Sequence, residues 1–186
     1  MMFAKFLKNL TACSLAILLV ACSSTQQSSS EPEFNRSEAV KARINLALAY
    51  LEQNDFPKAK QNIDKALSHD AKDYLPYSVL AYYYQQTGDV ENAEKSYQQA
   101  LSLSDNRPDV LNNYGTFLCK QGQFKQAYQQ FETAVKSPKP YYHQADSLEN
   151  IILCAKKEPN WQKVTETLTE LEKLDKPRAT LLKESK

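Results

Sequence analysis

Apolar and small residues recur along this chain in two superposed rhythms. Locally they take the three- and four-residue steps of an amphipathic helix, as Leu46, Ala47 and Tyr50 do. Over longer stretches the same kinds of residue return every 34 positions. Ala59, Ala93 and Ala127 keep that step, as do Ala66, Ala100 and Ala134, then Tyr50, Tyr84 and Leu118, and Leu46, Leu80 and Tyr114. Asn54, Gly88 and Gly122 fall on the same frame, where a left-handed residue would end one helix before the next begins. The pattern predicts paired helices in units 40–73, 74–107 and 108–141. Asn35 with Glu38 reads as a capping box for the first helix, Asp55 as the cap of the second with Pro57 in its first turn, and Asp89 as a further cap. Pro108 suits a first helical position. Gly115 falls mid-helix, which close packing against the paired helix would explain.

Period and small-residue pattern together are the signature of the tetratricopeptide repeat, a helix–turn–helix unit that stacks into a solenoid. A fourth repeat follows out of step. Direct continuation puts Glu149 at a core position; three extra residues in the Pro138–Tyr142 connection correct this. The repeat then starts at Ala145, Ile151 and Ile152 become core, and Asn150 takes the sixth repeat position, as Asn45 and Asn113 do. Its second helix is expected from Trp161 to Leu174, with Val164, Leu168 and Leu171 inward and Pro159 where glycine is usual. The expected fold is an all-α right-handed superhelix of about four repeats over 39–178, with 179–186 a tail that frays from Arg178 onward.

The first 21 residues read differently. Lys5 and Lys8 precede an apolar run, Leu10–Ala21, that ends in Leu19-Val20-Ala21-Cys22. That is the form of a bacterial lipoprotein signal, cut before a cysteine that then carries lipid. Ser23 after it resembles proteins sorted to the outer membrane, and residues 22–38 read as the lipidated cysteine and a flexible Ser/Gln-rich tether. The whole chain has a formal charge of +1, and −1 once Lys5 and Lys8 are removed. No strongly basic face is implied, so nucleic acid is not an expected partner.

Catalytic chemistry has little to stand on. No paired carboxylates, glycine-rich phosphate loop or nucleophile elbow is present, and the two histidines, His69 and His143, fall in turns and connections. Cys119 and Cys154 with His143 match no metal-site spacing, so no metal or cofactor is expected beyond the lipid on Cys22, and no small-molecule substrate. Cys119 and Cys154 fall on neighbouring first helices. In an oxidising compartment they could form a disulfide; two small buried thiols is the alternative.

First helices line the concave face of such a solenoid, through repeat positions two, five, six, nine, twelve and thirteen. In repeat 1, Ile44, Leu48 and Leu51 form a second apolar stripe there, with Asn45 beside it, and repeat 2 adds Val79 and Tyr82. Further along the face turns polar: Asn112, Asn113, Thr116 and Lys120, then Glu149, Asn150 and Lys157. An exposed apolar strip marks a groove for a peptide or amphipathic helix, unless residues 32–37, with Phe34, fold back over it. The asparagines either clamp an extended backbone or are simply solvated.

The stretch Leu111-Asn-Asn-Tyr-Gly-Thr-Phe-Leu-Cys119 with Gln121-Gly122, together with Arg43–Leu51 and Ser147–Asn150, resembles the type IV pilus biogenesis and stability lipoprotein family, PilF/PilW. The resemblance runs from the Cys22 motif to about Ala155. It implies an outer-membrane lipoprotein facing the periplasm, acting as a pilotin that helps the pilus secretin reach the outer membrane and multimerise. It also implies pairing of Cys119 with Cys154. Ile152 in place of a usual glycine, Pro159 and the short C-terminus depart from that family. A different reading is a repeat lipoprotein serving outer-membrane protein assembly or cell-wall enzymes.

Overall fold

A computed structural model describes residues 36–184, all within the compact unit Glu31–Lys186. The expectations for the signal peptide, Cys22 and tether residues 22–35 fall outside that range; residues 36–38, read as the end of the tether, belong to the folded array, and the first helix is capped by Ser37 and not by Asn35. Among the described residues the structure is entirely helical, in four antiparallel hairpins and a last short helix. The hairpins are α1 (Glu38–Glu52) with α2 (Phe56–His69), α3 (Tyr74–Thr87) with α4 (Val90–Ser104), α5 (Pro108–Lys120) with α6 (Phe124–Val135), and α7 (Gln144–Lys157) with α8 (Trp161–Leu174). The ninth helix, α9, is Lys176–Glu184.

One turn closes each of the four hairpins. The residue before it takes positive φ in three of them: Asn54, Gly88 and Gly122. The next backbone N–H then donates to a carbonyl five residues back: Asp55 to Tyr50, Asp89 to Tyr84 and Gln123 to Leu118, each at 2.9 Å, and Asn160 to Ala155 at 2.7 Å. These are the closing bonds of a left-handed helix end. The first three are 34 residues apart and the fourth 37, so the extra three residues lie in the connection before α7. Asp55, Asp89 and Asn160 also cap the following helix through their side chains. The cap of α1 is Ser37, whose Oγ accepts from Val40 N–H.

Fully buried Ala59, Ala93 and Ala127, with Ala66, Ala100 and Ala134, let paired helices approach closely. Gly115 serves the same end: a β-carbon there would lie 2.7 Å from two ring carbons of Phe131 on α6. Val164, Leu168 and Leu171 of α8 are buried with Ile151 and Ile152 of α7.

Three expectations are corrected. Ile44 and Leu51, read as lining an open face, are 2% and 1% exposed. They pack with Val79 and Leu75 in the seam between α1 and α3. Repeat positions five and twelve face the next first helix: Asn112 and Cys119, the same positions in repeat 3, bond to α7. Each buried aliphatic contributes about 1.5–3 kcal/mol. Conversely Leu46, read as core, is 43% exposed. Its equivalents Leu80 and Tyr114 pack into clusters shared with a preceding repeat, which α1 lacks among the described residues.

The C-terminal segment is not frayed. Ala179 and Leu182 are buried against α8 and the main core. Arg178 pairs with Asp146 and, at 3.4 Å, with Glu149, both on α7. The folded array therefore runs past residue 178 to Glu184.

Candidate functional site

The first helices leave a cleft of about 490 Å³. Leu48 of α1 and Leu75, Val79 and Tyr82 of α3 make its apolar end. Leu48 and Tyr82 are 37% and 40% exposed, so the apolar surface is open to solvent. Asn112, Asn113, Thr116 and Lys120 of α5 with Asn150 of α7 make the polar end, and Ser78, Gln85 and Tyr97 lie between. Tyr97 comes from the second helix α4; its hydroxyl donates to Gln85 Oε1 at 3.4 Å, and burial raises its pKa well above the usual tyrosine range.

The polar end is organised by Asn112. Its Oδ1 accepts from Ser147 Oγ at 2.9 Å and Asn150 Nδ2 at 3.0 Å, while Tyr141 and Ser147 share a 2.6 Å hydroxyl contact. With Oδ1 so occupied, Asn112 presents its Nδ2 donors and Asn150 its Oδ1 acceptor. Lys157 Nζ caps the end of α5 through the carbonyls of Cys119 and Lys120. Lys120 is the only formally charged side chain on the lining.

Behind this end Cys119 and Cys154 are joined, with an S–S distance of 2.06 Å and Cα atoms 5.9 Å apart. Both sulfurs are thereby unavailable as metal ligands. His143 meets Asp146 at 2.8 Å on the outer surface instead.

Of the residues the sequence nominated for the groove, Leu48, Val79, Tyr82, Asn112, Asn113, Thr116 and Asn150 line this cleft. Asn45 is exposed but off the lining, and Ile44 and Leu51 are beneath the surface. Leu75, Ser78 and Gln85 were not singled out, although they occupy repeat positions two, five and twelve of repeat 2. Tyr97 had no signal, because the rule concerns first helices alone.

Stacked hairpins with one repeated turn, small residues at each crossing and a cleft along the first helices define a tetratricopeptide-repeat scaffold, a protein-interaction architecture. The family description "Tetratricopeptide repeat" matches residues 40–73, and "YpiA-like, C-terminal tetratricopeptide repeats" matches 78–140. The chain belongs to the tetratricopeptide-repeat family. It is similar to an uncharacterized protein of Haemophilus influenzae, 48% identical over 172 residues, 92% of this chain and 93% of that one. It is also similar to the type IV pilus assembly protein PilF of Pseudomonas aeruginosa, 34% identical over 116 residues. That match covers 62% of this chain but only 46% of the Pseudomonas protein. Among solved structures, Pseudomonas aeruginosa PilF superposes with a TM-score of 0.70 at 29% identity, covering 79% of this chain and 67% of that one. PilW, described as a widely conserved type IV pilus biogenesis factor, gives 0.67 at 26% identity, covering 74% and 63%.

Proposed function

We propose that this chain is an outer-membrane lipoprotein of type IV pilus biogenesis, anchored through lipid on Cys22, that holds a segment of the pilus secretin in the α1/α3/α5/α7 cleft and so promotes ring assembly. The observation that supports this best is the joint likeness to PilF and PilW in sequence and fold. The mechanism is thermodynamic. A membrane-tethered module raises the local concentration of weakly binding subunits, so that contacts too weak in free solution become sufficient. The apolar end of the cleft supplies burial, and the Asn112/Asn150 end supplies backbone hydrogen bonds that fix register.

Retention of the detergent-solubilised secretin on the immobilised chain tests this. Leu48→Asp places a charge on an exposed wall and is expected to abolish retention while helicity is unchanged. Unchanged retention, or normal secretin multimers in the outer membrane of a deletion strain, refutes the reading. Palmitate labelling lost in Cys22→Ser tests the anchor separately.

A further inference from the structure

The way the chain enters α1 bears on what fills the cleft. Arg36 precedes the helix and is fixed by its side chain. Its guanidinium bonds Asp73, at 2.9 Å from Nη2 to Oδ1, and lies over the Tyr74 ring at 5.3 Å. Asp73 is fully buried, and the same Oδ1 accepts from the backbone N–H of Leu75 at 3.0 Å. Leu75 is the first cleft residue on α3. The guanidinium of Arg36 and the first cleft residue of α3 thus share one carboxylate, that of Asp73.

We propose that residues 31–35, Glu-Pro-Glu-Phe-Asn, seat in that apolar end as a built-in occupant which an incoming partner must displace. The displacement rests on the partner reading above; the seating does not. Reach is sufficient: two extended residues carry the Phe34 Cα up to roughly 7 Å from Arg36, and its ring spans the remainder of the about 10 Å of helix from Leu75 to Tyr82. Chemistry fits as well. Phe34 is the one aromatic of the segment, and Leu48 and Tyr82 are the exposed apolar walls it would cover. Pro32 disfavours helix at Glu31, which suits an extended occupant. The lining carries no acidic side chain and one cation, Lys120, so Glu31 and Glu33 meet no like charge. Attachment two residues from a fixed point gives Phe34 an effective concentration on the order of millimolar, so even a millimolar intrinsic affinity fills the site about half the time. That occupancy lowers partner affinity about twofold, and tenfold if the seat is nine-tenths filled.

Replacing Phe34 with the photocrosslinking analogue benzoylphenylalanine in the full chain, and irradiating without any partner, tests the seat. Crosslinks mapped by mass spectrometry are expected on Leu48, Leu75, Val79 or Tyr82. Their yield is expected to fall at least about fivefold in Leu48→Asp, and likewise in Tyr82→Asp. Crosslinks confined to other surfaces, no crosslinks, or a yield indifferent to both variants overturn the proposal. Secretin retention lost in Leu48→Asp without such crosslinks leaves the partner reading standing and removes this one; the reverse result removes the partner reading alone.

Discussion

Substituting Gly115 with alanine separates two opposed effects whose signs differ. On an exposed helix alanine gains about 1 kcal/mol over glycine. At this site the new β-carbon would lie 2.7 Å from Cδ1 and Cε1 of Phe131 and 3.1 Å from Cγ. Ordinary carbon contacts are about 3.5–4.0 Å, so α5 and α6 must part by roughly 0.8 Å or the ring must turn. The ring has little room, since Phe131 is 1% exposed within the main core cluster. Overpacking of this kind costs about 1–3 kcal/mol, which outweighs the helical gain and leaves a net loss of about 1 kcal/mol. Urea unfolding followed by far-ultraviolet circular dichroism, with the disulfide intact, gives the sign directly. Phe131→Leu alone is expected to lose about 1–2 kcal/mol. In the double variant the two losses are less than additive by at least about 0.5 kcal/mol, because the clash has gone. A midpoint raised by Gly115→Ala, or strict additivity, refutes the account of why glycine stands there.

Two other outcomes follow from the geometry. Cys119→Ser/Cys154→Ser opens a loop of 35 residues and is expected to cost up to roughly 4 kcal/mol in the chain-entropy model, with amides of α7–α9 losing exchange protection before those of α1–α4; uniform loss across all helices would contradict it. The bond from Arg178, with His143 contributing less, holds the Asp146 carboxyl below the usual aspartate range. A depressed pKa stabilises above the unfolded value and is lost as pH falls through the folded one, so α9 should loosen only at pH below about 3.9, read by the Ala179 and Leu182 methyl resonances; resonances unchanged down to about pH 1, or loosening that begins near neutrality, would exclude it.

What could be read from the sequence depended on how local its cause is. The repeat frame was legible because small residues such as Ala59, Ala93 and Ala127 recur wherever helices cross. The turns were legible because Gly88 and Gly122 answer a backbone demand within a few residues. The slip before α7 was legible through Asn150, whose amide the structure sets against Asn112. The burial of Ile44 and Leu51 was not, since helical periodicity gives two apolar stripes on α1 and only the seating of α3 decides which is covered. For α9 the signal is two inward residues, Ala179 and Leu182, in a nine-residue helix, too short to show a period. The Asn112–Ser147–Tyr141 network depends on where three inserted residues bend the chain. Leu75, Ser78 and Gln85 were within reach of the positional rule once it was applied to every repeat.

The Cys119–Cys154 bond also changes the topology of the chain. It closes a covalent ring around the Pro138–Tyr142 connection, where Tyr142 is 80% exposed. Exposed connections of this kind are the preferred places for proteolytic nicking. A single cut there would divide the polypeptide yet leave α5 and α7 linked, with Asn112 and Asn150 still facing each other. This connection thus lies inside the one covalent loop among the described residues, and a nick there would show as two fragments only after reduction.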